Sequence, residues 1–232
     1  MKGSMKSRAR LDVAVAGGGV VGAACALALA RAGLDVALVE ARPVPRWLAE
    51  QPDLRVYALA PDNAALLDAL GVWPQVVRAR AQPYRKMRVW DAGGGDELAF
   101  DAATLARDEL GWIVENGLLV DRLWAALVAA GVQVHCPARV QGMEQDEAGV
   151  RLQLDDGTRL EARVAVAADG GASELRRLAG LDVDAHDYGQ RGVVAFIETA
   201  DPHRETAWQR FLPTGPLALL PFTQGRSSIV WT

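Results

Sequence analysis

Three glycines, Gly17, Gly19 and Gly22, stand at the spacing G-x-G-x-x-G, and Glu40 follows 40 − 22 = 18 residues after the last of them. Residues of these types at this spacing can hold the pyrophosphate of a dinucleotide. Gly17 allows a tight turn, Gly19 lets a pyrophosphate approach the backbone without meeting a Cβ, and Gly22 lets a helix pack close to a sheet. The free N–H groups and positive dipole end of that helix then face the phosphates. Glu40 can accept hydrogen bonds from an adenosine ribose. An acid at this place, where a base would favour a 2′-phosphate, suits FAD or NAD better than NADP.

Glycines do this work only if the right elements flank them, and the elements occur in order. Val13-Ala14-Val15-Ala16 is the short apolar run of a buried parallel strand. A helix of small residues reaches Arg31, with Gly33 as its stop signal. A second apolar run, Val36 to Val39, ends on Glu40. A lone glycine motif is weak evidence. The full β-α-β setting favours dinucleotide binding over a unit whose glycines merely turn the chain.

Two more residues invite a chemical reading. Arg55 lies on the segment 53–59, ahead of a helix capped by Asp62 or Asn63, with Ala64, Leu66, Leu67 and Leu70 as its apolar face and Gly71 at its end. A cation there can face a flavin or its phosphates. Asp169 ends the apolar strand Val164–Ala168 and opens a helix with Ser173 as a possible cap. Such an acid either points into the ligand crevice of an open sheet or bonds the amides of its own turn. Position alone leaves both readings open.

Elsewhere the pattern changes. Arg88–Asp91 and Glu97–Phe100, separated by Gly93-Gly94-Gly95, read as a β-hairpin. An extended piece at Trp112–Asn116 precedes a helix bearing Leu119, Leu123, Trp124, Leu127 and Val128, in which Trp124 reads as core. A strand at Val132–His135 and a meander over 139–161 with an Asp156-Gly157 turn follow. Strands at Gly192–Thr199, Ala207–Leu212, Leu217–Phe222 and Ser227–Trp231 suggest one antiparallel sheet over a second site.

The 232 residues fall between one large domain and two small ones. A net charge of −4 gives no support to nucleic-acid binding. No apolar run reaches the ~18 residues of a membrane span, and the basic start lacks the apolar core of a signal peptide, so residues 1–8 are set aside as a cloning remnant. Cys25 and Cys136 form no C-x-x-C, and His135, His186 and His203 are unclustered, so no metal site is expected. A reducing cytoplasm is the default compartment.

Three stretches together resemble the flavin-dependent aromatic hydroxylases (class A flavoprotein monooxygenases), and within them the ubiquinone-biosynthesis hydroxylases. They are GGGVVG at 17–22 with Glu40, DLRVYAL at 53–59 ahead of a helix ending LGVW, and AADGGASELR at 167–176. The segment from Tyr188 to Phe222 is the part most particular to the ubiquinone branch. The resemblance implies an α/β fold of the p-hydroxybenzoate-hydroxylase type. Its Rossmann-like FAD-binding domain would comprise 9–80 and 103–182, and an antiparallel substrate-domain sheet would comprise 81–102 and 183–232. It further implies that Gly17, Gly19 and Gly22 hold the pyrophosphate and Glu40, with Ala41 and Arg42 beside it, the adenosine ribose. Arg55 would lie along the flavin and Asn116 would approach it. Asp169 and Gly170 would sit near the pyrophosphate and a passing NAD(P)H, the transient electron donor. The implied reaction is hydroxylation of a polyprenylated phenol by O₂ through a flavin C4a-hydroperoxide. A peripheral contact with the inner membrane, or membership of a ubiquinone-biosynthesis complex, suits so apolar a substrate. No acid–base pair stands out for the ring hydroxyl, so no catalytic side chain is singled out.

The resemblance places a further flavin-contacting Gly-Asp motif beyond Thr232, and the sequence stops inside the last expected strand, which would leave a sheet edge exposed. The expectation is therefore a truncated chain that binds FAD weakly and hydroxylates poorly by itself. Two rival expectations are a hydroxylase of a small soluble aromatic on the same scaffold, and a flavin-binding fragment without activity.

Overall fold

The computed structural model describes residues 10–44 and 46–232. In chain order the elements are β1 (Leu11–Ala16), α1 (Val20–Arg31), β2 (Val36–Val39), β3 (Val56–Leu59), α2 (Pro61–Ala69), α3 (Trp73–Arg80), β4 (Gln82–Tyr84), β5 (Lys86–Asp91), β6 (Leu98–Asp101) and β7 (Gly111–Glu115). They continue as α4 (Asn116–Ala129), β8 (Gln133–His135), β9 (Val140–Asp146), β10 (Gly149–Leu154), β11 (Arg159–Ala167), α5 (Glu174–Leu178), β12 (Val193–Glu198), β13 (Thr206–Leu212), β14 (Gly215–Pro221) and β15 (Arg226–Trp231). The chain divides into two compact units, residues 1–45 with 123–184 and residues 46–122 with 185–232. The boundary on the second stretch falls inside α4. Among the described residues no helix is long and apolar enough to cross a membrane.

The first unit is built on a six-stranded sheet of order β8-β2-β1-β11-β10-β9. Its first four strands are parallel, and β10 and β9 add an antiparallel meander. β1 and β2 are buried almost throughout, as parallel strands covered on both faces must be. On one face Ala14, Ala16, Ala37 and Val39 join Val140, Leu152, Leu154 and Leu160 in a continuous core. α1 packs through Gly22, Ala23, Ala26 and Leu27. It ends in a Schellman motif: Gly33, at φ +86°, donates to Ala30 O at 2.9 Å, and Leu34 donates to Leu29 O at 3.2 Å. One expected boundary does not exist. Residues 159–161 and 164–167 belong to a single strand, because β11 pairs with β10 through Ala162 and follows β1 as far as Ala167.

The second unit contains a three-stranded antiparallel sheet, β3-β7-β4, and a six-stranded sheet of order β12-β15-β14-β13-β5-β6. The expected hairpin is β5–β6. It joins the later strands through a parallel pairing of β13 with β5, so this sheet is mixed rather than wholly antiparallel. β15 lies between β12 and β14 and is paired along its length; it is not the half-strand with an exposed edge expected from sequence. Tyr84, Ile113, Ala207 and Phe222 form the core, with Phe196 and Phe222 rings 4.4 Å apart. The shared core and the β3–β7 ladder join residues 46–80 and 103–122 to this compact unit. α2 begins at Pro61 with Ala60 as its N-cap and no side-chain cap. Proline is pre-organised for the first helical position, so Asp62 and Asn63 fall at the second and third helical positions and neither is the N-cap. Ala64, Leu67 and Leu70 are buried, but Leu66 faces out.

The second unit also carries a buried ion pair. Arg80 Nη1 lies 3.2 Å from Glu115 Oε2, and Glu115 is wholly buried. Glu115 Oε1 accepts bonds from Trp47 Nε1 at 3.2 Å and from the Asp53 N–H at 2.9 Å. The Arg80 guanidinium also donates to Ala49 O and lies over the Trp47 ring. Charges removed from water need this density of partners.

Candidate functional site

The glycine turn connects β1 to α1, and its three named glycines are constrained for different reasons. Gly17 has φ +103°, and a Cβ there would lie 2.2 Å from Ala168 O. A Cβ on Gly22 would lie 2.0 Å from Gly17 O. Both are demanded by the fold itself: one by backbone conformation and the turn after β11, the other by the approach of α1. Gly19 differs. Its φ of −68° and ψ of −178° suit any residue, and no atom lies within 4 Å of a Cβ placed on it. Neither backbone conformation nor packing requires a glycine at 19.

Gly19 is the N-cap of α1, which has no side-chain cap and no acid in its first turn. Its carbonyl accepts the first helical bond, from Ala23 N–H at 2.9 Å. The helix start is thus left with donors and a positive dipole end facing outward, which suits an anion.

Glu40 leaves the end of β2 beside this turn. Its Oε2 accepts from the Gly18 N–H at 2.7 Å, and its Oε1 accepts from the Arg42 N–H at 2.8 Å. The Arg42 guanidinium is mostly exposed and 3.6 Å from Oε1; Ala41 is half-buried between them. Each carboxylate oxygen keeps lone-pair capacity for a hydroxyl donor. Gly18 is held from the other side by Trp124, whose Nε1 donates to Gly18 O at 2.8 Å. A Cβ on Gly18 would meet Trp124 Cζ2 at 2.5 Å. Sequence reading took Trp124 as core, which it is, but gave no signal for this bond and passed over Gly18. Cys136 donates to Arg42 O at 3.1 Å, and burial, followed by the Glu40 carboxylate, pushes its thiol pKa up.

The turn after β11 runs against Gly17, so Asp169 and Gly170 stand next to the glycine turn. The Asp169 carboxylate is occupied locally: it accepts from the Ser173 hydroxyl and from the N–H groups of Glu174 and Leu175, at 2.8 and 3.2 Å. The turn-bonding reading therefore describes this side chain. Ser173 is the N-cap of α5, accepting from Arg176 N–H at 3.0 Å. Gly170 has φ +91° and open space around it.

On the second unit, Arg55 and Asn116 come together. Asn116 N–H donates to Arg55 O at 2.9 Å, and the Tyr57 hydroxyl donates to Asn116 Oδ1 at 3.2 Å. The exposed Arg55 guanidinium lies 5.6 Å from the centre of the Tyr57 ring. Asp53 organises the group, accepting from Arg55 N–H and Gly117 N–H at 2.9 Å each. Asp53 and Tyr57 are in the DLRVYAL stretch, but only the pairing of β3 with β7 shows what they hold. Among the described residues no group of His, Cys, Asp and Glu could hold a metal ion.

The family model described as FAD binding domain matches residues 10–231. The chain belongs to that family. The turn fits the family's cofactor: an uncapped helix start, an open position at Gly19 and an acid fixed beside it answer to a pyrophosphate and a ribose. Among curated relatives, 3-demethoxyubiquinol 3-hydroxylase of Escherichia coli (strain K12) is 36% identical over 222 residues, covering 95% of this chain and 56% of the relative. Ubiquinone hydroxylase UbiL of Rhodospirillum rubrum is 37% identical over 228 residues, covering 95% and 51%. The chain thus spans about half the length of the curated relatives it matches. Of solved structures, Pseudomonas aeruginosa PqsL in complex with 2-aminobenzoylacetate superposes with a TM-score of 0.79 at 25% identity, covering 95% of this chain and 60% of that one. The expected fold class, an α/β FAD-binding fold with an added sheet, is the one observed.

Proposed function

We propose that this chain is the FAD-holding part of an aromatic-ring hydroxylase whose substrate is a polyprenylated phenol of ubiquinone biosynthesis. Gly19 carries the cofactor half of the reading: a glycine that the fold does not require marks a place where something other than the chain needs the space. The names of the E. coli and R. rubrum relatives support the substrate class.

The backbone at Gly17–Gly22 would bind the pyrophosphate, and Glu40, with Ala41 and Arg42, the adenosine ribose. Arg55 would lie along the flavin, and Asn116, held by Tyr57 through Oδ1, would offer its Nδ2 donors. Asp169 would act through the turn it stabilises, keeping Gly170 and its amides beside the pyrophosphate and the nicotinamide donor. When bound, FAD supplies the redox chemistry that O₂ activation requires. The overall reaction balances as ring C–H, O₂, NAD(P)H and a proton giving ring C–OH, water and NAD(P)⁺. A polyprenyl tail keeps the substrate in a bilayer, so a peripheral membrane contact or a ubiquinone-biosynthesis complex would deliver it.

The test is a titration of the purified chain with FAD, followed by flavin fluorescence, and then NAD(P)H oxidation with and without a short-chain prenylated phenol. Saturable but weak binding is expected, with only slow phenol-stimulated oxidation to a hydroxylated product. Absence of binding would sink the cofactor assignment. Stimulation by small soluble phenols alone would sink the substrate assignment and leave the cofactor one standing.

A further inference from the structure

Arg55 and Tyr57 stand two residues apart where β3 begins, with Val56 between them packed against the core of the second unit. Asn116 follows the last residue of β7, and its N–H donates to Arg55 O at 2.9 Å, which carries the β3–β7 ladder one step further. The backbone of this group is fixed without any ligand. Asp53 accepts from the N–H groups of Arg55 and Gly117 at 2.9 Å each, and its own N–H donates to the buried Glu115 at 2.9 Å. The ladder and Asp53 leave only two side-chain ends to be set: the amide of Asn116, which can turn over and exchange Oδ1 for Nδ2, and the guanidinium of Arg55.

Tyr57 touches both. Its hydroxyl donates to Asn116 Oδ1 at 3.2 Å, and the Arg55 guanidinium carbon lies 5.6 Å from the centre of its ring. With Oδ1 taken by the phenol, the two N–H donors of Nδ2 are left for another acceptor. Among the described residues none accepts from Nδ2, and no carboxylate pairs with the exposed Arg55 guanidinium. Tyr57 thus holds together a cation that no acid neutralises and an amide whose donors are unspent. Such a group favours a partner rich in electron density. A flavin ring gains negative charge on reduction, and hydrogen bonds and positive charge beside it are how a protein tunes its potential.

We propose that Tyr57 is a positioning residue for the flavin. Its hydroxyl turns the Asn116 amide donor-side outward, its ring carries the Arg55 guanidinium, and the two together raise the affinity for reduced FAD relative to oxidised FAD. The inference rests on the flavin reading of Arg55 and Asn116 and adds to it the residue that orients them and the oxidation state they favour.

Tyr57→Phe removes one oxygen and keeps the ring. The parent chain, Tyr57→Phe, Asn116→Ala and the double variant are titrated anaerobically by calorimetry with oxidised FAD and with photoreduced FAD. Loss of one hydrogen bond should lower the ratio of reduced to oxidised affinity about threefold in Tyr57→Phe, equivalent to a two-electron potential lower by about 15 mV. Adding Tyr57→Phe to Asn116→Ala should change the ratio no further. A residue that served only the fold would shift both affinities alike, or act equally in both backgrounds. Without flavin, the Asn116 side-chain amide should shift in Tyr57→Phe; its loss in Asn116→Ala identifies it in the nitrogen–proton correlation spectrum. An unchanged ratio in Tyr57→Phe overturns the proposal, as does an equal fall in both backgrounds or an unmoved amide. If the amide moves but Asn116→Ala alters neither affinity, or the chain takes up no FAD, Tyr57 orients Asn116 for something other than the flavin. The flavin reading of the pair then fails, and the inference with it.

Discussion

Replacing Gly19 by alanine separates what the fold needs from what a ligand needs. The backbone at 19 has φ −68°, and the new methyl group would meet no atom within 4 Å. Replacing glycine at a compatible position stabilises by about 0.4–1 kcal/mol, through the unfolded chain, but position 19 is the N-cap of α1, where alanine is poorer than glycine by a similar amount. The two effects offset, so the melting temperature should change by no more than about 2–4 °C. The same methyl would fill the space through which a pyrophosphate oxygen reaches the backbone N–H groups. A hydrogen bond to a charged group contributes about 1.5–3 kcal/mol, so losing one weakens FAD binding roughly 10- to 150-fold. Gly22→Ala is the contrast: its Cβ would stand 2.0 Å from Gly17 O, so it should lower the melting temperature, since relieving such overlap costs about 1–3 kcal/mol or more. The assay pairs thermal melts of the apo proteins with FAD titrations by flavin fluorescence. Gly19→Ala with undiminished FAD affinity would refute the reasoning, and so would a melting temperature well below that of the parent.

Trp124→Phe keeps most of the buried ring but leaves Gly18 O without its donor at 2.8 Å; the loss is about 1–3 kcal/mol, visible by calorimetry as a lower melting temperature, and an unchanged value would count against the bond. Glu115→Gln leaves the Arg80 guanidinium beside a neutral partner in a buried setting; chemical denaturation should show about 3–5 kcal/mol less stability, and a shift within ordinary surface scatter would show that the pair is dispensable. Acid should destabilise the first unit in a defined direction. The Asp35 N–H first, and the Arg163 guanidinium second, hold the Asp12 carboxyl below its ordinary range, and Arg151 together with the amides of Ala148 and Gly149 does the same for Asp146. Because their folded pKa values are depressed, the stability these groups contribute is present above the unfolded value of about 4 and lost as pH falls through the folded values. Melting temperature against pH should fall on that limb, and less steeply in Asp12→Asn; an identical slope in the variant would remove Asp12 from the account.

The β-α-β unit was legible because each of its parts leaves a local mark: an apolar run, a glycine at a positive φ, a Schellman stop at Gly33, a terminal acid. The meeting of Arg55 with Asn116 was not legible from spacing, since it depends on β3 pairing with β7 across about sixty residues of chain, 116 − 55 = 61. The joining of the hairpin β5–β6 to β13 was likewise hidden, because a parallel pairing between distant strands leaves no turn residue to announce it. α3 went unread for a different reason: Trp-Pro-Gln-Val-Val-Arg-Ala-Arg is only eight residues long, buries only Val76, and carries a proline that reads as a break but sits in its first turn. At Asp169 the sequence offered two geometries and the structure shows one, with the carboxylate on the amides of α5. A short polar side chain ahead of a helix nearly always finds those amides first.

The Gly18 peptide ties these observations into one device. Its N–H is fixed by a carboxylate from the end of β2, and its carbonyl by an indole from α4. Gly17 before it is locked against the turn after β11, and Gly22 after it against Gly17 O. Every peptide of the turn with a structural duty thus has a partner from a different element of the sheet or its helices. Gly19, the one glycine of the motif left without such a duty, sits where the helix donors begin. A turn held this way spends little conformational freedom when an anion arrives, so the interaction with phosphate goes into affinity rather than ordering. The acid proposed to recognise the ribose and the acid that fixes the turn are then the same residue. Ending a strand adjacent to β1 brings Glu40 within reach of the Gly18 N–H.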